Sequence, residues 1–306
     1  MRETKKLKFI LLVVALLSFS CVKEDDQCDK SNNPDTSVTK SAGDSLDASE
    51  KCSDDSGNPG DGDGDNDTVE PPPTGGDPDE TDQASLNRPW ERAGTSIIID
   101  AYEGNGIDWN EMASDPKVVA VIHRSSIGSR VDTKYVSRKK IALERGYLWG
   151  AYHLGRRGNT KAQADLFLSL IGDEPDTLMI LDLEDTASSS FMSIEEAIVF
   201  MEYVYEKTGK IPTVYANHST TKKLNTLVSN NPIFQQSKLW YARFKANVTD
   251  YPGSLWPNYF MWQFSSEINC TRTGTCLYNV PGTEFDMDVN VFNGPLGELT
   301  ARWNND

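Results

Sequence analysis

Residues 177–186 read TLMILDLEDT, and this stretch decides how the folded part of the chain is interpreted. Its first half is an uninterrupted apolar run of strand length, which predicts a strand buried on both faces of a sheet. Asp182 and Glu184 end the run. Because they are two residues apart, their side chains point to the same face. A buried strand that ends in two carboxylates predicts a functional site at its C-terminal end.

Strand-like runs alternate with helical segments along the rest of residues 88–306. The predicted helices are Lys134–Glu144, Thr160–Ile171, Ser193–Lys207 and Thr220–Val228. Such alternation indicates a parallel sheet with helices outside it, and eight strands can close a barrel. We therefore predict an α/β fold: an irregular single-domain (β/α) barrel of eight mostly parallel strands, with few helices between the last ones. The predicted strands are Ser96–Asp100, Val118–Arg124, Trp149–Leu154, Leu178–Glu184, Pro212–Ala216, Leu239–Phe244, Phe260–Phe264 and Asp286–Phe292.

Two further carboxylates belong to the same predicted site, since chemistry in such barrels lies at the C-terminal ends of the strands. Asp100 closes the first predicted strand, and Asp288 lies in the eighth. Clustered carboxylates repel one another, so we expect one to keep its proton near neutral pH while the others stay ionised. A protonated acid beside an ionised carboxylate is what the cleavage of a glycosidic bond requires.

Several segments, in order from about residue 95 to 294, resemble glycoside hydrolase family 25, the muramidases that cut peptidoglycan. The opening Asp and the Ile-Asp-Trp of that family match IIIDAYEGNGIDW, and its Asp-x-Glu pair matches ILDLED. The other matching segments are VVAVIHRSSIGSRVD, GAYHLGR, VYANHS, LWYARF, MWQFSS and FDMDVNVF. The resemblance implies a peptidoglycan muramidase that hydrolyses the β-1,4 bond between N-acetylmuramic acid and N-acetylglucosamine.

The resemblance also implies a role for each matching residue. Glu184 matches the general acid, and Asp182 matches its partner, which orients or polarises the N-acetyl group of the substrate. Asp100 and Asp288 match the remaining acidic positions; a covalent and an acetamido-assisted route both stay open. The expected substrate contacts are Tyr102, Arg124, Tyr152, His153, Tyr215, Trp240 and Trp262. For His153, a purely structural role is the alternative.

Two departures from the family pattern concern the rim of the cleft. Tyr102 stands where the family often has Ser, and Leu154 stands where Phe usually follows Gly-x-Tyr-His. These departures leave alternatives open: a peptidoglycan-binding module without turnover, a glycosidase for another N-acetylated polysaccharide, and a metal-dependent hydrolase. Activity that persists in a chelator would exclude the last of these.

The first 87 residues predict an exported, tethered protein. Residues 1–20 have a basic head and the apolar run Phe9–Leu17, which is typical of a signal peptide. Cys21 follows small residues and resembles the lipidated cysteine of bacterial lipoproteins; an ordinary cleaved signal is the alternative. Residues 22–87 carry 19 Asp and Glu against 4 Lys, so we expect residues 21–87 to be a lipidated, disordered linker. The expected location is the cell envelope, at the outer membrane or cell surface, with a membrane contact through the lipid.

The remaining sequence features limit the partners and cofactors. Cys270 and Cys276, in NCTRTGTC, predict a small disulfide, as expected in an oxidising compartment. The chain has three His and no Cys-x-x-Cys pair, so no metal site or cofactor is expected. The DGDGDND run at 61–67 lacks the Gly and Glu spacing of a calcium loop. No basic patch indicates nucleic acid, and we expect a monomer.

Overall fold

The computed structural model describes residues 85–271 and 273–304, which fold around a closed β-barrel. Eight strands form the barrel, and β1 closes it by pairing with both β2 and β9; the short β3 is an arm that pairs with β2 alone. The predicted fold class is confirmed. The strands are β1 (Ser96–Ala101), β2 (Val118–Ile127), β3 (Arg130–Val131), β4 (Leu148–Leu154), β5 (Leu178–Leu183), β6 (Thr213–Asn217), β7 (Leu239–Ala242), β8 (Met261–Ser265) and β9 (Asp288–Phe292).

Seven of the barrel strands run in the same direction, and the eighth runs against them. The barrel pairs from β1 through β2, β4, β5, β6 and β7 to β8 are parallel. The last strand, β9, is antiparallel to both β8 and β1. Among the described residues between β7 and β9 there is no helix, which agrees with the predicted irregularity of the last strands.

Each parallel strand is buried on both faces, which explains the continuous apolar runs in the sequence. Alternate residues of β5 belong to two separate apolar clusters. Leu178 and Ile180 pack inside the barrel, whereas Met179, Leu181 and Leu183 pack outward against the helices. Asp182 has the same parity as Ile180, so β5 carries its carboxylate on the inner face.

Helices cover the outside of the barrel and begin at recognisable caps. The helix α4 begins with a capping box, in which Ser193 Oγ accepts a hydrogen bond from Glu196 N and Glu196 Oε2 accepts one from Ser193 N. The helix α3 has the predicted bounds and ends at Gly172, whose φ is 65°. The helices are α1 (Trp109–Met112), α2 (Tyr135–Glu144), α3 (Thr160–Ile171), α4 (Ile194–Thr208), α5 (His218–Leu227), α6 (Pro232–Gln236) and α7 (Leu296–Trp303).

The helix α7 closes the N-terminal end of the barrel and leaves the other end open. Its Leu299 and Trp303 belong to the inner apolar cluster, and Trp303 Nε1 donates to the carbonyl oxygen of Trp149 near the start of β4. Because this end is plugged, a substrate can approach the interior only at the C-terminal ends of the parallel strands.

The remaining features of the fold are the start of the packed chain, the disulfide and the hydropathy of the helices. Packing begins at Leu86, which is 7% exposed. The predicted disulfide between Cys270 and Cys276 is present, in the loop between β8 and β9. In the part of the chain that the structure describes, no helix combines the length and hydropathy that crossing a bilayer requires. The signal peptide, Cys21 and the acidic linker lie outside the described residues.

Candidate active site

The four predicted carboxylates lie on three strands at the open end of the barrel. Asp100 of β1 and Asp288 of β9 are register partners, so these two strands bring their side chains to the same level. Asp182 is near the C-terminal end of β5, and Glu184 follows that strand directly. Asp100 and Asp182 are buried, at 5% and 7% exposure, whereas Glu184 and Asp288 are half-buried.

Tyr215 of β6 lies near all four carboxylates. Its phenol is buried inside the barrel, and burial is the main cause that raises its pKa well above the ordinary value of 10. The charges of Glu184, Asp182, Asp288 and Asp100 raise the pKa of Tyr215 further. Each of the four charges lies near enough to the phenol to act on it, because electrostatic interactions fall off with distance. The sequence-based expectation of one shared cleft is therefore consistent with this geometry.

A hydrogen-bond network of neutral groups holds Asp100. Asn290 Nδ2 donates to Asp100 Oδ2 at 2.6 Å, and Gln263 Nε2 donates to the same oxygen at 2.9 Å. The two amides are themselves fixed, since Asn290 Oδ1 accepts from Trp240 Nε1 at 2.6 Å and Gln263 Oε1 accepts from the Tyr215 hydroxyl at 2.8 Å. Donors of this kind stabilise a buried carboxylate without a cation.

Gln263 and Asn290 were missed in the sequence analysis, although both stand in quoted segments. Asn290 lies two residues after Asp288 and therefore on the same face of β9. Gln263 is the central residue of MWQFS, and all five residues of that strand are buried. A polar residue in a buried strand needs a hydrogen-bond partner, and this was the signal that could have identified both.

Three of the predicted aromatic contacts line the interior. The ring centroids of Tyr215 and Trp240 lie 4.7 Å apart, and those of Tyr152 and Trp240 lie 6.4 Å apart. Trp240 is 1% exposed and Tyr215 is 5% exposed; Tyr215 is the register partner of Asp182 and of Trp240, so these two rings lie beside the carboxylates. Tyr152 is half-buried.

The structure corrects the predicted substrate contacts His153 and Trp262. Both side chains are fully buried on the outer face of the barrel. His153 stacks on Phe200 of α4 and is within hydrogen-bond distance of Gln163 of α3, and Trp262 Nε1 donates to the carbonyl oxygen of Arg243. Each is one residue away from an inward-facing neighbour and consequently points away from the cleft. The structural alternative holds for His153.

Tyr102 and Arg124 lie together at the rim. Tyr102 follows β1 and is 41% exposed, and the Arg124 guanidinium carbon lies 4.8 Å from the centre of its ring. Arg124 itself is only 8% exposed, and its Nε and Nη2 both lie 3.1 Å from Asp132 Oδ2. In the structure, Arg124 contacts Tyr102 and Asp132. Its predicted contact with substrate stays a prediction.

The backbone next to Glu184 has an uncommon conformation. Asp185 has a φ of 27°, in the left-handed region where non-glycine residues are rare. Such strain is found where the surrounding structure imposes it, often at functional sites. Here it turns the chain sharply just beyond the strand that carries the Asp182 and Glu184 pair. No cluster of His, Cys, Asp and Glu arranged to hold a metal ion occurs within residues 85–271 and 273–304.

The chemistry open to this arrangement is acid–base catalysis on a ligand that enters the mouth of the barrel. Acidic groups in different surroundings, some buried and some half-buried, are suited to one donating a proton while another stays charged. Aromatic rings beside them suit a ring-shaped substrate. Such an arrangement is suited to cleaving a glycosidic bond, the chemistry of the class of glycoside hydrolases.

Comparison with known proteins makes that class specific. Residues 99–272 match the sequence model of the family described as glycosyl hydrolases family 25, and the chain belongs to this family. The protein is accordingly a glycoside hydrolase. No curated protein sequence matches the chain.

Solved structures with the same fold come from bacteria and a fungus. A lysozyme from Streptomyces coelicolor is 24% identical with a TM-score of 0.55, covering 70% of this chain and 99% of its own. A family GH25 lysozyme from Aspergillus fumigatus is 21% identical with a TM-score of 0.53, covering 69% and 100%. The modular autolysin LytC from Streptococcus pneumoniae, in complex with a synthetic peptidoglycan ligand, is 18% identical with a TM-score of 0.50, covering 68% and 49%. At these identities the likeness shows a shared fold.

Proposed function

We propose that this protein is a peptidoglycan muramidase that hydrolyses the β-1,4 bond between N-acetylmuramic acid and N-acetylglucosamine. The observation that carries the proposal is the placement of the carboxylates: Asp100 and Asp288 are register partners on β1 and β9, and Asp182 and Glu184 stand at the C-terminal end of β5. Family membership supports the reaction type, and the lysozymes and the peptidoglycan-bound autolysin of the same fold support peptidoglycan as the substrate.

In the proposed reaction, Glu184 is the general acid. It follows β5 at the mouth of the barrel and is more exposed than Asp182, so it is accessible to the glycosidic oxygen. Glu184 gives its proton to the leaving oxygen, and water supplies the hydroxyl group that ends on the anomeric carbon. Asp182 orients or polarises the N-acetyl group, and Asp100 and Asp288 contribute the negative charge that stabilises the developing cation.

Replacing Glu184→Gln in the full chain tests the assignment. An amide of the same shape cannot donate that proton, so we expect dye release from labelled peptidoglycan to fall by about 10²-fold or more, with the thermal unfolding curve unchanged. Glu202→Gln, on the exposed side of α4, is the matched control and is expected to behave as the original protein. A Glu184→Gln protein that keeps more than about a tenth of the activity would refute the assignment.

Mass spectrometry of the digested peptidoglycan tests which glycosidic bond is cleaved. We expect fragments with muramic acid at the reducing end. Fragments that end in glucosamine would mean that another bond is cleaved. Retention of the protein on insoluble peptidoglycan without any released fragment would identify a binding module without turnover.

We also propose that the protein is a lipoprotein anchored in the cell envelope, where its partners are glycan strands and, through Cys21, the membrane. The proposal is supported by the sequence of residues 1–20 and by the acidic composition of residues 22–87, which favours a flexible tether. The catalytic domain, residues 88–306, would then act as a monomer at a distance from the membrane surface. Membrane fractionation of a Cys21 variant is the measurement that tests the anchor.

A further inference from the structure

Tyr102 is an exposed aromatic residue next to the acidic cleft. It is 41% exposed and lies two residues after Asp100, beyond the end of β1. The register of β1 and β2 pairs Ala101 with His123, so Tyr102 stands beside Arg124 at the next position. The ring therefore lies at the rim, on the side where Asp100 and Asp288 are located.

Gly104 provides the space that the Tyr102 ring occupies. A β-carbon built on Gly104 would lie 2.4 Å from Tyr102 Cζ and 2.4 Å from its hydroxyl oxygen. Such a distance is far inside van der Waals contact, so the ring lies directly across the backbone of Gly104. Glycine is required here for room, since any larger residue would displace the ring.

Arg124 fixes the ring from β2 and is already neutralised by neighbouring acids. Its guanidinium lies 4.8 Å from the ring centre, within the range of a cation–π contact, and Asp132 holds it at 3.1 Å. Glu103 Oε1 lies 3.8 Å from the Arg124 Nη2. Although burial acts to raise it, hydrogen bonds from Thr133 and Arg130 lower the pKa of Glu103 to about 2, so this acid stays charged.

The backbone of the same turn is held as well. Asn105 Oδ1 accepts a hydrogen bond from Tyr102 N at 2.9 Å, and Arg138 Nη1 donates to the carbonyl oxygen of Tyr102 at 2.9 Å. Asn105 Nδ2 in turn donates to the backbone of Asp286, in the segment that leads into β9. Both the backbone and the ring of Tyr102 are thus fixed before any ligand arrives.

We propose that Tyr102 is a preformed platform for one pyranose ring of the glycan, at a position beside the bond that is cleaved, and that Gly104 and Arg124 are its positioning residues. The proposal rests on the proposed function, because it assigns the ring to the substrate of the same cleft. A platform that is fixed in advance loses little side-chain entropy on binding. It contacts a sugar that does not react, so it strengthens binding more than it accelerates the chemical step.

Kinetics of full-chain variants on soluble peptidoglycan fragments test the proposal. We expect Tyr102→Ala to raise KM about tenfold while kcat changes less than about twofold, which is the pattern of lost uniform binding. Tyr102→Phe keeps the ring and is expected to raise KM less than about threefold. Tyr205→Ala is the matched control, because Tyr205 is 48% exposed on α4 and lies outside the cleft.

The Gly104→Ala variant tests whether the position of the Tyr102 ring matters, because it moves the ring without removing it. The added methyl group displaces the Tyr102 ring, and the atoms that have to move are the exposed end of one side chain, so stability should change little. We expect KM to rise in the same direction as in Tyr102→Ala. The double variant should be no worse than Tyr102→Ala alone, since no ring is left to displace. Additive effects in the double variant would overturn the positioning role of Gly104.

Binding measurements keep this inference distinct from the proposed function. Affinity for insoluble peptidoglycan is measured by co-sedimentation for the original protein, Tyr102→Ala and Tyr205→Ala, whether or not the glycan is cleaved. A tenfold weaker affinity of Tyr102→Ala alone supports the platform, even if no muramic acid ends are released. If Tyr102→Ala and Tyr205→Ala give the same KM and the same affinity, the platform is refuted. If the original protein releases no fragments but Tyr102→Ala alone binds peptidoglycan more weakly, only the proposed reaction is refuted.

Discussion

Two buried histidines predict that the fold loses stability between pH 7 and pH 5. His123 and His153 are both fully buried, and burial lowers their pKa values from 6.5 to about 3 and about 4 respectively. The neutral form of His153 is hydrogen-bonded, since its Nδ1 lies 2.9 Å from Ser126 Oγ and its Nε2 lies 3.0 Å from Gln163 Oε1. In the unfolded chain, the same imidazoles take up protons below about pH 6.5.

The sign and size of the effect follow from this difference in proton binding. Above pH 6.5 neither state is protonated and the histidines have no effect; below it, the unfolded state binds more protons and folding is disfavoured. Each histidine then costs about 1.4 kcal/mol per pH unit until its folded pKa is reached. From pH 7 to pH 5 that amounts to about 2 kcal/mol for each, or about 4 kcal/mol together. Carboxyl groups with ordinary pKa values titrate mostly below this window, whereas a carboxyl whose pKa is raised in the folded state, as burial raises that of Asp132, takes up its proton there as the pH falls and reduces the loss.

Urea unfolding of the full chain at pH 7 and pH 5 measures the loss. We expect His153→Gln to retain hydrogen bonds to Ser126 and Gln163 and to reduce the loss from about 4 to about 2 kcal/mol. His218→Gln is the control, because the Nε2 of His218 lies 3.5 Å from Asp250 and a protonated imidazole there gains a partner. A loss below about 1 kcal/mol in the original protein, or an undiminished loss in His153→Gln, would refute the reasoning.

Two further predictions concern the acidic cleft and the membrane anchor. Asn290→Leu removes a 2.6 Å hydrogen bond to Asp100 and leaves the Trp240 indole without its acceptor Asn290 Oδ1. We therefore expect the free energy of unfolding in urea to fall by about 3 kcal/mol and dye release to slow at least about tenfold. Unchanged stability in this variant would contradict the network. Cys21→Ser should move the protein from the membrane pellet to the soluble fraction with unchanged activity on soluble fragments; continued pelleting would argue against a lipid anchor.

Most of the barrel could be predicted from the sequence because its signals are local. The strand β5 and the helix α3 follow directly from apolar runs, helical spacing and a terminal glycine, and the cap at Ser193 is a pattern of two residues. The reversed direction of β9 could not be predicted, since a strand has the same sequence pattern in either direction. The helix α7 was also missed, although its buried Leu299 and Trp303 are four residues apart, which is the helical spacing of an apolar face.

Parity along the strands explains which of the predicted site residues face the interior of the barrel and which face outward. Asp100 and Asp182 end strands and share the inner face with Ile98 and Ile180. Tyr152 and His153 are consecutive residues of one strand, so they cannot both face the cleft. The same rule separates Trp262 from Gln263. Applied to each strand in turn, it would have rejected both outward residues and identified both amides.

The cleft depends on contacts between the two ends of the folded region. Asp100 on the first strand and Asn290 on the last are 190 residues apart in the sequence and 2.6 Å apart in space. Antiparallel pairing of β9 with β1 sets Asp288 opposite Asp100 and at the same time closes the barrel. The acidic cleft therefore does not exist in any partly folded form that lacks β9. Closure of the barrel and assembly of the site are one event, and loss of activity during denaturation should follow the detachment of this last strand.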